Sequence, residues 1–73
     1  MSNTAWNKVK DIRMEKGLSV QQLALLSQLS NSTVSDIENG KEMPNHLTML
    51  RLCKSFDMKM QHVFESDYKN VKL

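Results

Sequence analysis

Apolar side chains recur every three or four residues along most of this chain, which is the spacing of α-helices that bury one face. The first such stretch runs from about residue 4 to residue 16, with Ala5, Trp6, Val9 and Ile12 on one face. No stretch shows the sustained two-residue alternation of β-branched and aromatic residues that a strand needs. The pattern therefore predicts an all-α fold.

The second predicted helix begins with a capping box. Ser19 stands as the N-cap and Gln22 three residues later, so each side chain can bond the backbone N–H of the other. Gly17 ends the preceding helix, because glycine readily takes the left-handed conformation that follows a helix. These signals predict a helix over residues 20–27. The apolar residues expected to point inward from it are Leu23, Ala24 and Leu26.

A third helix is predicted after a break of about three residues, with Ser30 as its N-cap and Asn39 and Gly40 at its end. Two helices joined by so short a turn have the spacing of a helix-turn-helix. At about 100° per residue, Val34 and Ile37 lie on the buried side of this helix. The opposite side is small and hydrogen-bonding, and it consists of Ser32, Ser35, Asp36 and Asn39.

Pro44 and Asn45 mark the approach to a fourth helix, for which Asn45 is the predicted N-cap. Asp57 ends this helix, and a short fifth helix is expected over about residues 59–64. The predicted buried stripe of the fourth helix is broad and consists of Met49, Leu50, Leu52, Cys53 and Phe56.

A length of 73 residues allows one domain, too small for a deep catalytic cleft and short enough to expect support from a partner subunit. One cysteine cannot form an internal disulfide, and two histidines without a cysteine pair give no recognisable zinc site. The longest apolar run, residues 23–26, is far too short to span a bilayer, and the N-terminus lacks the regions of a signal peptide. We therefore expect a cytoplasmic protein with no membrane association and no cofactor.

In this order and without gaps, the motifs along residues 9–64 resemble the Cro/CI-type, or XRE-like, helix-turn-helix family. The resemblance implies a compact five-helix, lambda-repressor-like domain over residues 1–64, whose third helix enters the DNA major groove. It implies a transcriptional regulator, with repression as the expected outcome, that reads a palindromic operator in double-stranded DNA as a homodimer. No enzymatic activity is expected, because the sequence shows no nucleophile–base pair and no phosphate-cradling loop. The stretches that carry the resemblance are Ile12-Arg13-Met14-Glu15-Lys16-Gly17-Leu18-Ser19, Leu23-Ala24, Leu29-Ser30-Asn31-Ser32-Thr33-Val34-Ser35, Ile37-Glu38-Asn39-Gly40-Lys41, and Pro44 with the apolar register that follows it.

By the family pattern, Asn31, Ser32 and Asp36 match positions that contact bases, and the Asn31 amide is suited to pair bidentately with adenine. Ser30 is at least equally expected as a simple N-cap, and that role is compatible with a DNA contact. The positions that match contacts near phosphates are Ser30, Asn39, Lys41 and Asn45. The other short polar groups on the third helix that suit base edges or phosphates are Thr33 and Ser35.

The resemblance also implies an internal salt bridge. Arg13 and Glu38 match a family pair that joins the first helix to the end of the third, and the implied role of this pair is to orient the third helix. The alternative, two unrelated surface charges, fits the matched spacing less well.

Three positions depart from the family pattern. Gln28 sits where glycine is common, so the turn must either avoid a positive φ or accept strain there. Val20 stands where a glutamine commonly contacts phosphate, and the neighbouring Gln21 and Gln22 are the candidates to compensate. Glu42 replaces a commonly basic loop residue. Together these departures reduce the expected contacts to the DNA backbone.

The net charge of +2 and the isoelectric point near 8.9 permit a nucleic-acid partner without requiring one. The charge is uneven along the chain: residues 1–16 carry +2, residues 17–40 carry −2, residues 41–56 carry +2, and residues 57–73 are neutral. Selective rather than tight DNA binding is the expectation, because phosphate contacts supply much of the affinity. The flanking basic residues that are candidates for backbone contacts are Lys8, Lys10, Lys16, Lys41, Arg51 and Lys54.

The acidic charge of residues 17–40 slightly favours a second class of function, a protein-interaction module on the same fold, such as an antitoxin or antirepressor. Cys53 is expected as a buried, inert thiol rather than a nucleophile. The tail, residues 65–73, is expected either to contribute a dimer contact or to be disordered. Its apolar candidates for that contact are Tyr68, Val71 and Leu73.

Overall fold

The computed structural model describes residues 8–64. Within this range the chain forms five helices and no strand, which confirms the predicted all-α fold class. The helices are α1 (Val9–Glu15), α2 (Val20–Ser27), α3 (Asn31–Glu38), α4 (His46–Phe56) and α5 (Met60–Val63). The bounds of α2 are those predicted. α5 is two residues shorter than the predicted 59–64, because Lys59 and Phe64 are its caps.

Side-chain caps begin the three central helices, as the sequence predicts. The Ser19 hydroxyl accepts the Gln22 backbone N–H at 3.0 Å, and the Gln22 amide oxygen accepts the Ser19 backbone N–H at 2.7 Å. Ser30 and Asn45 each accept the backbone N–H three residues further on, at 3.1 Å and 2.8 Å. These bonds satisfy N–H groups that a helix leaves without a partner, so they fix where each helix starts.

The core lies between α2, α3 and α4 and is closed by the two outer helices. α2 packs against both α3 and α4, α1 contacts the same two helices, and α5 packs on α4. The Lys8 backbone N–H also donates to the Val63 carbonyl at 2.8 Å, which ties the start of α1 to α5. The buried core residues are Val9, Ile12, Leu23, Ala24, Val34, Ile37, Met49, Leu52, Cys53, Phe56, Val63 and Phe64.

The prediction that Leu26 points inward was wrong. Leu26 is 58% exposed, whereas Ser27 is buried. At about 100° per residue, Ser27 lies about 10° from the centre of the face that Leu23 and Ala24 define, and Leu26 lies about 110° from it. Helix geometry places position 27 in the core, but the prediction passed over it because serine is polar.

The same geometry corrects the fourth helix. Leu50, predicted in the buried stripe, is 41% exposed, while the rest of that stripe is buried. Leu50 lies about 110° from the centre of the buried residues, which places it on the edge of the outer face. The core face of α4 is therefore narrower than its hydrophobic content indicates.

An ion pair connects α1 to the end of α3. Arg13 Nε donates to Glu38 Oε2 at 2.7 Å, and Arg13 Nη2 donates to Glu38 Oε1 at 3.2 Å. Arg13 Nη1 donates to the carbonyl of Leu18, in the connection between α1 and α2, at 2.8 Å. One guanidinium thus holds three parts of the domain, and the Glu38 side chain it meets is only 4% exposed.

Loss of either partner of this pair should destabilise the domain strongly. We expect Arg13→Ala or Glu38→Ala to lower the free energy of unfolding by about 3–5 kcal/mol, because each leaves a buried charge or donor set without its partner. Urea unfolding followed by circular dichroism measures the change. Lys10→Ala, which removes an exposed cation from the same helix, is the control and should leave stability nearly unchanged. Unchanged stability in both variants of the pair would contradict this role.

Candidate nucleic-acid interface

The outward side of α3 carries polar side chains at helical spacing. Val34 and Ile37 are fully buried and hold the opposite side of the helix against the core. The side chains of Asn31 and Asp36 make no hydrogen bond or ion pair with any other residue in 8–64, so both are unengaged. The exposed or half-buried polar residues of this side are Asn31, Ser32, Ser35, Asp36 and Asn39.

The serine and threonine at the start of α3 form a small hydroxyl cluster. The Ser30 hydroxyl accepts the Thr33 N–H at 3.1 Å and donates to Thr33 Oγ1 at 2.8 Å. Ser32 Oγ lies 3.3 Å from Ser30 Oγ. Ser30 is therefore the N-cap that the sequence predicts, and the Thr33 hydroxyl proton stays available to an external acceptor.

The far end of α3 is joined to the loop behind it. Asn39 Nδ2 donates to Ser35 Oγ at 3.4 Å. The backbone N–H groups of Lys41 and Glu42 both donate to the Asp36 carbonyl, at 2.8 Å and 3.3 Å. These bonds place the exposed Lys41 side chain directly beyond the end of α3, while Pro44 anchors the loop in the core.

At the start of α2, the capping box determines which atoms of Gln22 are available to a ligand. Val20 is half-buried and packs against the core, so it takes no part in a polar surface. The Gln22 amide oxygen is bound to the Ser19 N–H, which leaves the amide NH₂ group as the part of this side chain that can bind a ligand. Gln21 is exposed. No hydrogen bond within the described residues joins Gln21 or Asn45 to the polar side of α3.

The turn between α2 and α3 contains a residue with a strained backbone conformation, Gln28. Gln28 adopts φ 59° and ψ 42°, the left-handed conformation that glycine would take without cost. Its carbonyl accepts a hydrogen bond from Arg51 Nη1 at 3.4 Å. Arg51, predicted only as a candidate phosphate contact, is thus half-buried and already engaged within the domain.

The residues that could bind a metal ion or act as a nucleophile do not form a site in residues 8–64. Between residues 8 and 64 no group of three or more His, Cys, Asp and Glu side chains is arranged to hold a metal ion. His46 and His62 are exposed, while Cys53 is buried, and burial raises the pKa of its thiol to about 11. None of the helices described is long and apolar enough to cross a bilayer.

The family model described as "Helix-turn-helix" matches residues 9–63, which is most of the chain. The chain belongs to the helix-turn-helix family of DNA-binding transcriptional regulators. The match covers all five helices and the polar side of α3 described above. It confirms the family that the sequence motifs resemble.

Two relatives of this helix-turn-helix protein are transcriptional regulators. It is 39% identical over 64 residues to the uncharacterized HTH-type transcriptional regulator YgzD of Bacillus subtilis (strain 168). That match covers 88% of this chain and 97% of YgzD. It is 32% identical over 62 residues to the HTH-type transcriptional regulator PuuR of Escherichia coli (strain K12). That match covers 85% of this chain but 34% of PuuR, so the chain spans about a third of that relative.

Solved structures share the fold. The restriction-modification controller protein C.AhdI from Aeromonas hydrophila superposes with a TM-score of 0.76 at 32% identity, covering 78% of this chain and 86% of that one. The clp gene regulator ClgR from C. glutamicum gives a TM-score of 0.73 at 20% identity, covering 89% and 84% of the two chains. At that identity ClgR supports the fold alone.

One polar contact of this domain was missed in the sequence. Ser27 Oγ lies 2.8 Å from Ser55 Oγ, and Ser55 Oγ donates to the Arg51 carbonyl at 2.9 Å. The helical angle of Ser27, close to the centre of the Leu23–Ala24 face, is the signal that would have found it. The contact with Ser55 depends on how α2 packs against α4, which no local pattern specifies.

The buried thiol predicts a measurable loss of stability at alkaline pH. Because the folded domain holds the Cys53 proton more tightly than the unfolded chain, stability should fall as the pH rises from about 9 to about 11. Thermal unfolding of the wild type and of Cys53→Ala, compared at each pH, isolates this contribution from that of lysines and tyrosine. The difference between the two proteins should change in this window, and a constant difference would contradict the burial of the thiol.

Proposed function

We propose that this protein is a repressor that binds a palindromic operator as a homodimer and reads the sequence with α3 in the major groove. The observation that carries the proposal is the polar side of α3, where the side chains of Asn31 and Asp36 form no hydrogen bond or ion pair with residues 8–64. A helix whose opposite side is held by Val34 and Ile37 presents these groups at a fixed angle. Readout then breaks no internal bond of those two side chains, which lowers the cost of binding.

The side chains on α3 match particular base edges. The Asn31 amide has the donor and acceptor that pair with adenine N7 and N6. Asp36 accepts only, so it suits the N4 amino group of cytosine and is repelled by phosphates nearby. Ser32 serves as either donor or acceptor. The proposed reading surface therefore favours sequence selectivity over affinity.

Contacts to the DNA backbone are few in this proposal. Lys41 is exposed beyond the end of α3. The Asn45 amide oxygen caps α4, which leaves the amide NH₂ group as the part of this side chain that can bind a phosphate. The Gln22 amide and the Thr33 hydroxyl supply further donors, and the N-terminus of α3 adds its partial positive charge. Since residues 17–40 contain no Lys or Arg, only a small number of phosphates is neutralised per subunit.

A homodimer places two α3 helices on successive major-groove faces, about 34 Å apart. The small size of the domain favours support from a second subunit. The apolar residues of the tail, residues 65–73, lie outside the described residues and are our proposed source of part of the contact. The transcriptional regulators named above support a role in transcription.

The alternative is a protein-interaction module, an antitoxin or antirepressor that uses the same fold to bind another protein. The observation that favours it is the net charge of −2 over residues 17–40, with the half-buried Asp36 on the side of α3 that would face DNA. Such a surface suits a basic protein partner better than a phosphate backbone.

Selection of bound sequences from random duplex DNA tests the proposal. We expect a palindromic consensus, and we expect Asn31→Ala and Ser32→Ala each to relax the preference at one position per half-site at a cost of about 1–3 kcal/mol. Gln61→Ala removes an exposed amide from α5 and is the matched control, with no change expected. Failure of the wild type to enrich any sequence would favour the protein-partner alternative.

The dependence of DNA affinity on salt tests the backbone contacts separately. The slope of log K against log salt concentration should be shallow, corresponding to a few phosphates per subunit at about −0.9 per phosphate. Lys41→Ala should weaken binding to all sequences equally and reduce the slope by about one per subunit. Lys59→Ala, which removes an exposed cation at the start of α5, should change neither value, and an unchanged slope in Lys41→Ala would exclude this contact.

A further inference from the structure

A chain of polar contacts joins the end of α2 to the middle of α4. It consists of Ser27, Gln28, Arg51 and Ser55, which we call the α2–α4 joint. Ser27 is 1% exposed, and its hydroxyl meets that of Ser55 at 2.8 Å. The other end of the joint is the half-buried Arg51, whose Nη1 donates to the Gln28 carbonyl at 3.4 Å.

The direction of the hydrogen bonds follows from the number of protons. Ser55 has one hydroxyl proton and donates it to the Arg51 carbonyl at 2.9 Å. The bond between the two serines must therefore be donated by Ser27. No buried side-chain nitrogen or oxygen among the described residues lacks a partner, so the buried Ser27 hydroxyl in this joint is satisfied.

Arg51 acts on a strained residue. Gln28 has a positive φ of 59°, and a non-glycine residue stays in that conformation only where its surroundings hold it. Two residues later, Ser30 caps α3, so the direction in which the chain leaves Gln28 sets the direction of the reading helix. The backbone N–H groups of Gln28 and Leu29 bond the carbonyls of Leu25 and Ala24, and the Arg51 guanidinium adds a bond to the Gln28 carbonyl.

We propose that Arg51 is a positioning residue for DNA binding, which holds the Gln28 carbonyl and so sets the angle between α2 and α3. In this role Arg51 does not contact a phosphate, although its charge and its place on α4 made it a candidate for one. The part of the proposal that concerns DNA rests on the proposed function, whereas the joint itself does not.

The test compares Arg51→Ala with Lys54→Ala, each made in the wild type and together with Gln28→Gly. Lys54 is an exposed cation on the same helix whose side chain has no hydrogen bond or ion pair in the described residues, so it is the matched control. Four readouts are taken: Tm, the amide chemical shifts of residues 28–31, the affinity for the selected operator, and the salt slope of that affinity.

We expect Arg51→Ala to lower Tm by roughly 2–4 °C, because an exposed bond of 3.4 Å lies at the weak end of the usual hydrogen-bond contribution in a domain of this size. The amide shifts of residues 28–31 should move, and operator affinity should fall about tenfold with the salt slope unchanged. Gln28→Gly should recover at least half of the loss in Tm, because glycine holds the left-handed conformation unaided. Lys54→Ala should leave Tm and these amide shifts unchanged.

A phosphate contact gives the opposite result, and that result would overturn the proposal. In that case Arg51→Ala reduces the salt slope by about one per subunit and leaves both Tm and the amide shifts of residues 28–31 unchanged. If the wild type binds no DNA, the proposed function fails, while Tm, the amide shifts and the rescue by Gln28→Gly still decide whether Arg51 holds the turn.

Discussion

The domain depends most on the contact between Arg13, Glu38 and the Leu18 carbonyl. α3 has eight residues, too few for a helix that is stable in water by itself. Its orientation must come from tertiary contacts, and Val34 and Ile37 supply the apolar part. The guanidinium of Arg13 supplies the directional part, because its planar fork pairs bidentately with the Glu38 carboxylate. A change in this geometry would rotate every polar side chain on the outward side of α3.

Helix capping and the α2–α4 joint also constrain the unit formed by α2, the turn and α3. The capping box fixes the start of α2, and the Ser30 hydroxyl fixes the start of α3. Between them, Gln28 turns the chain in a left-handed conformation that costs energy. Backbone hydrogen bonds of the turn hold this conformation, and Arg51 of α4 adds a bond to the Gln28 carbonyl. Polar contacts thus set the positions of both helices against the hydrophobic core. The side chains of Asn31 and Asp36 are not among these contacts in residues 8–64, so both can bind DNA bases without breaking a bond that positions α3.

Local chemistry made much of this fold predictable, and three-dimensional packing explains the rest. Ser19 with Gln22, Ser30 and Asn45 gave the helix starts correctly, because a cap is a local interaction. The inward placement of Leu26 and Leu50 was wrong, since hydrophobic character was given more weight than helical angle. The ion pair of Arg13 with Glu38 followed only from family resemblance, because a separation of 25 residues carries no local signal. The role of Arg51 needs the packing of α4 against the turn, which no pattern along the chain shows.

The surface that meets DNA can be mapped directly by recording amide chemical shifts during titration with a duplex that carries the selected operator. Binding through the helix-turn-helix unit predicts that the largest shifts fall at the start of α2, along α3 and in the loop through Lys41 to Asn45. The amides of α5 and of the last turn of α4 should move least. Shifts concentrated in α5 and the end of α4, with α3 unchanged, would contradict reading by α3.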